Sequence, residues 1–538
     1  MKKLFTLFML AASTVSSMAT VYNDQIVVNL NGMDIANQPS AISVEQKDNG
    51  KYVLSLDNFV LPGIPVGNIV VDDVEGINNE SSTLLVSNQT ITIAPGNMDG
   101  IGTSDWLGPM LGNVPVQVKA EIRDEKLYAI IDIEMAMMKQ TIKVTFGDGG
   151  YQIKNSGFED FHTATYTDSG KDYTSDEPNA WHSFNSGVAA GSMAFLTKFA
   201  LQVGSTSICD ITRPGSNGKK SVLLKSGMVL GVSANGTMTT GRLQAGSITP
   251  TDPANCSFMD TSIEDVDANG DPFYTTMNGL PDSLTVWAKF KQGEIKESNA
   301  KYNTATVSAI ITDGTYYQDP QDEDQTYSNV VAKAQNKNIE SKDFAWQRIS
   351  IPFDYDTYNY NNGKALLVTI STNAQPGVGS SNAANPDSLI IDDIELIYNS
   401  TATGINIKGT PISNFNADST EYVVSIKGDN ADITADDVEV TTNAKGAKVF
   451  VDIANIDEEG AGSVATINVI SGDLKSSKVY VVKTYTEGYL TGIDNVNAED
   501  NTVEAVYNLN GQRVESTVKG QVYITKYTNG KTVKTVAE

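Results

Sequence analysis

The chain has 538 residues and a net charge of -27, with 40% apolar and 19% charged residues. That length exceeds one ordinary domain and predicts three or four, each with apolar residues enough for a core. The negative charge repels phosphate backbones and anionic membrane surfaces, so nucleic acid is excluded as a natural partner, while neutral glycans stay compatible.

In chain order, the first element is "MKKLFTLFMLAASTVSSMAT". Two lysines precede an apolar run, and Ser17-Met18-Ala19 offers a small-x-small cleavage site. This is the pattern of a secretory signal peptide over residues 1–19. No cysteine follows the run, so no lipid-anchored start is indicated, and no later segment is long and apolar enough to span a membrane. The protein is therefore expected outside the cytoplasm, extracellular or at the cell surface, otherwise periplasmic.

Val, Thr, Ile and Tyr then recur in short runs broken by Asn-Gly, Asp-Gly and Pro, an all-β texture. Over residues 20–150, "QIVVNLNG" alternates, and "ISVEQKDNGKYVLSL" reads as two strands around Asp48-Asn49-Gly50. About eight short strands joined by hairpins predict a closed up-and-down barrel. Through "GKYVLSLDNFVL", "VGNIVVDDV" and "MLGNVPVQVKAEI", this stretch resembles the calycin-like domain of exported proteins in glycan-degrading Gram-negative bacteria.

Residues 151–400 open with "NSGFEDFH" and close with "LIIDDIELIY". With "PDSLTVWAKF" and "WQRISIPFDY" between them, they resemble the carbohydrate-metabolism domain of the same bacteria and, more distantly, jelly-roll carbohydrate-binding modules. The resemblance implies a jelly-roll β-sandwich whose first and last strands lie side by side. It also implies a structural Ca²⁺ there, held by Glu159 and by Asp392 or Asp393. Asp392 shares its face with Ile390, Ile394 and Leu396, so its carboxylate most needs a partner. The alternative is a carboxylate satisfied by backbone amides. Residues 401–485, with "GINIKGTPISNFNADSTEYVVSI", resemble a cadherin-like or immunoglobulin-like sandwich. Residues 486–538 resemble a C-terminal sorting domain, although the ending "TVAE" lacks the usual basic strand; a plain β tail is the alternative.

Other motifs weigh less. "DVDANGD" places Asp265, Asp267, Asn269 and Gly270 as at the start of an EF-hand loop, but Thr276 stands where Glu belongs, so an Asn-Gly turn is the better reading. "GSNGKKS" fails as a phosphate loop, with Arg213 in place of the first Gly and Lys220 in place of Ser or Thr. His162 and His182 show neither zinc spacing nor a nucleophile elbow and read as polar loop residues. Cys209 and Cys256 leave two readings open, one disulfide or two buried thiols.

Sugars are gripped by flat rings beside polar groups. The candidate rings are Trp181, Tyr316, Tyr317, Tyr355, Tyr358 and Tyr360, with Phe184 beside them; Trp287 and Trp346 are assigned to core packing. The leading functional expectation is an exported carbohydrate-binding protein whose partner is a polysaccharide or glycoprotein sugar. A glycoside hydrolase using paired carboxylates is the runner-up, and a purely structural surface protein is the third reading. The leader pattern has a direct check: N-terminal sequencing of exported material should begin after Ala19, and an intact Met1 would refute removal.

Overall fold

The computed structural model describes residues 19–79, 81–135, 139–168, 170–196, 206–229, 231–294, 296–321, 328–358, 363–428, 430–456, 461–487, 503–508, 512–519, 521–527 and 532–536. The signal-peptide segment therefore lies outside the described residues, apart from Ala19. The chain divides into two compact units, the first holding residues 19–399 and the second most of residues 400–538.

The first unit begins with eight strands, each hydrogen-bonded to the next: β1 (Thr20–Leu30), β2 (Met33–Gln46), β3 (Tyr52–Leu61), β4 (Ile64–Asn78), β5 (Ser82–Thr92), β6 (Asn113–Arg123), β7 (Lys126–Met135) and β8 (Gln140–Phe146). β1 pairs back onto β8, with Ile26 opposite Phe146, so the sheet closes and leaves no free edge. The turn between β2 and β3 uses Gly50 at a φ of 84°, a conformation that only glycine adopts without strain. Alternation sends Val114, Val116, Val118 and Ala120 of β6 into the barrel core. The barrel encloses a cavity of about 300 Å³ lined almost wholly by aliphatic side chains such as Leu54, Leu56, Val71 and Val116.

Lys119 and Glu121 lie on the opposite face of β6, yet both are buried. Lys119 Nζ meets Asp132 Oδ2 at 2.8 Å, while Glu121 accepts from the Ser82 hydroxyl and from the Tyr151 hydroxyl. Tyr151 begins the next domain, so the covered outer face of the barrel is where the two meet.

That next domain is a two-sheet antiparallel sandwich. One sheet orders Thr206–Cys209, Ser221–Lys225, Ser388–Ile397, Ser283–Lys291 and Gln347–Pro352. The other orders Thr237–Thr239, Ala365–Ser371, Thr304–Thr312 and Val330–Glu340. A smaller sheet of Val188–Ala189, Arg242–Ala245, Cys256–Phe258 and Gln318–Asp319 stands beside them, and a hairpin pairs Phe161–Asp168 with Lys171–Pro178.

The opening segment departs from expectation. "NSGFED" forms a turn rather than a first strand, and the strands flanking Ser388–Ile397 are Ser221–Lys225 and Ser283–Lys291. The segment still touches the last strand. Ile394 N–H donates to Ser156 O at 2.9 Å, and the Gln152 amide bonds both the N–H and the C=O of Leu396. A bulge causes this. Between the pairs Trp287–Asp392 and Thr285–Glu395, two residues face one, and Asp393 takes a φ of 42°. The bulge turns Ile394 N–H away from the ladder, and Ser156 takes it up.

The second unit contains a sandwich of two sheets, Thr410–Pro411/Ala402–Ile407/Val438–Thr442 and Glu421–Ile426/Ser477–Thr486/Ala461–Ile470/Lys448–Asn455. Ile405, Ile407, Ile467, Val469 and Val482 fill it, and the buried Tyr480 hydroxyl accepts from Ala402 N–H and donates to Ala417 O. The tail supplies a four-stranded sheet of Arg513–Val514, Val503–Tyr507, Val522–Tyr527 and Thr532–Val536.

One buried carboxylate locks the loops of the first sandwich. Asp387 is fully buried, with Oδ1 accepting from Gly293 N–H at 2.6 Å and Oδ2 from Ser380 N–H at 2.7 Å and the Asn373 amide at 3.0 Å. Asp387→Ala should strand these donors and cost about 3 kcal/mol, and Asp387→Asn should cost less. Urea unfolding followed by the fluorescence of the buried Trp181 measures both.

Candidate functional site

The four-stranded sheet explains where a ligand can sit. Along Thr304–Thr312, Val307 and Ala309 point to one face and are fully buried, while Thr306 and Ser308 point to the other. The neighbouring strands repeat the pattern: Thr369 and Ser371 on one, Gln335 and Lys337 on the other. Register brings these polar residues into rows, with Ser308 opposite Thr369 on one side and Gln335 on the other.

The rows form the floor of a pocket of about 300 Å³, within the size range of small-molecule sites. Its walls come from Phe184, Leu243, Ile248 and Pro250, among others. The floor is wired together. Gln335 Nε2 donates to Ser308 Oγ at 3.0 Å, and Ser308 Oγ donates to Asp319 Oδ2 at 3.1 Å. Ser257 and Thr369 hydroxyls lie 2.5 Å apart, and Asn235 Nδ2 donates to Ser371 Oγ at 3.1 Å. Asn235 Oδ1 is buried without a partner. Asp319 keeps part of its surface open to the pocket, yet crowding by protein raises its carboxyl above the usual range, an effect its Ser308 bond only partly offsets.

Most of the rings expected from sequence lie elsewhere. Trp181 is fully buried, packed 5.3 Å from Phe158, with Nε1 donating to Lys154 O. Tyr317 belongs to the core with Met259 and Ile310. Tyr355 is buried, its hydroxyl donating to Pro281 O. All three are core residues, corrected from ligand contacts. Tyr316 is 53% exposed but bonds Gln318 and packs near Phe258, outside the pocket lining. Tyr358 packs partly buried against the core with Lys333 Nζ 5.3 Å above its ring, and Tyr360 lies outside the described residues. Phe184 does line the pocket. Trp287 and Trp346, assigned to the core, are only half-buried, and the Arg213 guanidinium sits 5.6 Å over Trp287.

The carboxylates of the expected calcium pair are held by separate donors. Glu159 accepts from Lys219 and Lys220 N–H groups at 2.9–3.1 Å. Asp392 is fully buried, with Oδ2 accepting from Arg213 N–H at 2.8 Å and Oδ1 left without a partner. Asp393 takes the Arg213 side chain at 2.5 Å. The backbone-amide alternative describes Glu159 and half of Asp392. A cation there would share its surroundings with the Arg213 guanidinium and would need backbone carbonyls or water beside these carboxylates to reach the six to eight oxygens calcium takes.

The histidines are not loop residues in water. His162 lies on the hairpin strand Phe161–Asp168, and His182 is fully buried. "DVDANGD" is a turn, closed by Asp267 N–H to Asp271 O at 2.9 Å, but Asp267 itself points inward and is buried.

Residues 18–148 match the family described as the calycin-like beta-barrel domain. No curated protein matches the sequence. Among solved structures, a candidate outer membrane protein from Bacteroides fragilis NCTC 9343 is 9% identical, with 66% of this chain and 96% of that chain covered at a TM-score of 0.16. Fructofuranosidase from Schwanniomyces occidentalis, complexed with fructose, is 8% identical, with 70% and 97% covered at a TM-score of 0.13. Neither similarity carries weight at these scores. Among the described residues, no helix is long and apolar enough to cross a membrane.

The pocket also contains Cys256, which is free, as is Cys209. Both are buried and unbridged, so the disulfide reading gives way to two buried thiols. Burial pushes the Cys256 thiol up to about 12, which leaves almost no thiolate at neutral pH and rules it out as an activated nucleophile. A thiol-specific reagent at pH 8 should label the native chain slowly and the denatured, unreduced chain at two thiols; none in the denatured chain would restore the disulfide.

Proposed function

We propose that this is an exported carbohydrate-binding protein and that the pocket on the four-stranded sheet takes the sugar. The observation that carries the reading is the composition of the floor: hydroxyls and amides of Thr306, Ser308, Gln335, Thr369 and Ser371, in register across three strands, beside an apolar wall. A sugar presents the same division, with hydroxyls at its edge and C–H groups on its faces. Asn235 Oδ1, buried and unpaired, is an acceptor that a ligand hydroxyl would satisfy.

A paired-carboxylate hydrolase fits less well. Such enzymes need two carboxyl groups about 5–9.5 Å apart across the scissile bond, and among the described lining residues Asp319 is the sole carboxyl. Asp319 already accepts from the Ser308 hydroxyl, and its carboxyl is placed to hydrogen-bond a sugar hydroxyl.

A glycan array probed with the mature full-length protein tests the reading. At least one neutral glycan should bind, and Gln335→Ala and Asp319→Ala should each weaken that binding about tenfold, equivalent to about 1.4 kcal/mol. Tyr316→Ala should leave it unchanged. Binding that survives both pocket substitutions would move the site elsewhere, and an empty array would favour the structural surface protein.

A further inference from the structure

Four side chains outside the pocket converge in a way that the sugar site does not require. Glu177 and His162 face each other across the hairpin, directly opposite in register. His182 follows the hairpin and is latched by its backbone to Thr239, at 2.8 and 2.9 Å. Asp267 enters from the turn at residues 266–272. Glu177 and His182 are fully buried, the Asp267 side chain is fully buried, and the His162 side chain is 10% exposed.

Each carboxylate is split between two tasks. Glu177 Oε1 accepts from the Ser183 N–H at 2.8 Å, from the Ser183 hydroxyl and from the Ser186 hydroxyl at 3.2 Å. Asp267 Oδ1 accepts from Asn269 and Asp271 N–H groups at 2.9 and 2.8 Å. These bonds aim the other oxygens, Glu177 Oε2 and Asp267 Oδ2, at the histidines, and neither has a hydrogen-bond partner. His162 Nδ1 lies 3.1 Å from Asn179 Oδ1, which can only accept, so the proton of a neutral His162 sits on Nδ1 and Nε2 turns a lone pair inward. His162 Nε2 and His182 Nε2 are also buried without partners.

The spacings discriminate between what can fill the gap. His182 Nε2 is 3.4 Å and His162 Nε2 3.5 Å from Asp267 Oδ2, and His162 Nε2 is 3.7 Å from Glu177 Oε2. A shared proton would draw such pairs to about 2.7–3.2 Å. Ligand atoms at about 2.0–2.1 Å from a tetrahedral ion lie about 3.3–3.4 Å from one another. Two carboxylates and two neutral imidazoles also balance one divalent charge, which removes the cost of burying two anions. Aiming a metal-binding imidazole through a bond to its other nitrogen is the usual second-sphere arrangement.

We propose that His162 Nε2, His182 Nε2, Glu177 Oε2 and Asp267 Oδ2 bind a tetrahedral divalent transition-metal ion, zinc by preference. Among the described residues, no group of three or more His, Cys, Asp and Glu side chains already stands arranged to hold an ion. Binding therefore requires these side chains to close around the ion, the His162–Glu177 pair moving from 3.7 Å toward a tetrahedral edge. Four protein ligands leave no open position, so the role is structural: the ion ties the hairpin and the turn to the strand Thr237–Thr239, which lies under the pocket.

The test uses the full mature chain. Elemental analysis should find one zinc per chain after expression in zinc-supplied medium. Dialysis against a chelator should lower the melting temperature, and Zn²⁺ should restore it. Co²⁺ reconstitution should give the intense visible bands of tetrahedral cobalt. Glu177→Gln and His162→Ala should each weaken Co²⁺ binding at least tenfold, with near-UV circular dichroism reporting that the domain is folded. Should either variant unfold, Asp267→Asn serves as a further ligand variant. Absence of bound metal together with melting curves indifferent to chelator and Zn²⁺ would overturn the proposal, as would octahedral cobalt bands or Co²⁺ binding unchanged in the folded variants.

Discussion

The extra residue at Asp393 is the constraint on which the first sandwich depends. A regular strand from Ser388 to Ile397 would pair all its amides with its two neighbours. The bulge instead releases Ile394 N–H to Ser156 and places Asp392 and Asp393 side by side, where the Arg213 backbone and side chain grip them. The opening segment and the loop before Ser221 are thereby fastened to the centre of the five-stranded sheet. The opening segment in turn sets the hairpin, because Asn155 Nδ2 donates to the C=O groups of both Asp160 and Asn179. A departure from ideal pairing in the middle of one sheet thus governs where the buried histidines stand.

The four-stranded sheet serves two purposes at once. Its inward residues, among them Val307, Ala309, Val368 and Ile370, are fully buried and hold the sandwich together. Its other face carries hydroxyls and amides that are only partly satisfied by one another. Because strand residues alternate faces, the polar set is as rigid as the core behind it. For the sugar site proposed above, little ordering of the floor would then be needed, and binding would lose less entropy than on a loop.

Much of the architecture was legible from residue patterns. Turn residues such as Asp48-Asn49-Gly50 and clean alternation announced the barrel, since a hairpin and a half-buried strand are local decisions. Asp392 was legible as a buried acid because its neighbours are aliphatic. The rings misled because aromaticity alone does not distinguish a core residue from a ligand contact: Trp181 and Tyr355 lie in polar loop sequences yet fill the interior. The polar floor had a readable signal in Thr306-x-Ser308 and Thr369-x-Ser371, a period of two inside largely aliphatic strands, but none in the third strand, where Asn336 separates Gln335 from Lys337. The buried histidine cluster had none, because residues 162, 177, 182 and 267 meet only through the hairpin register and a distant turn.

The two unpaired cysteines bear on how the protein matures. Small exported domains often lean on cross-links to restrict their unfolded chains. Here the closed barrel and the doubly layered sandwich supply enough buried surface to do without them. Packing of the native state therefore does not draw on a cross-link between Cys209 and Cys256.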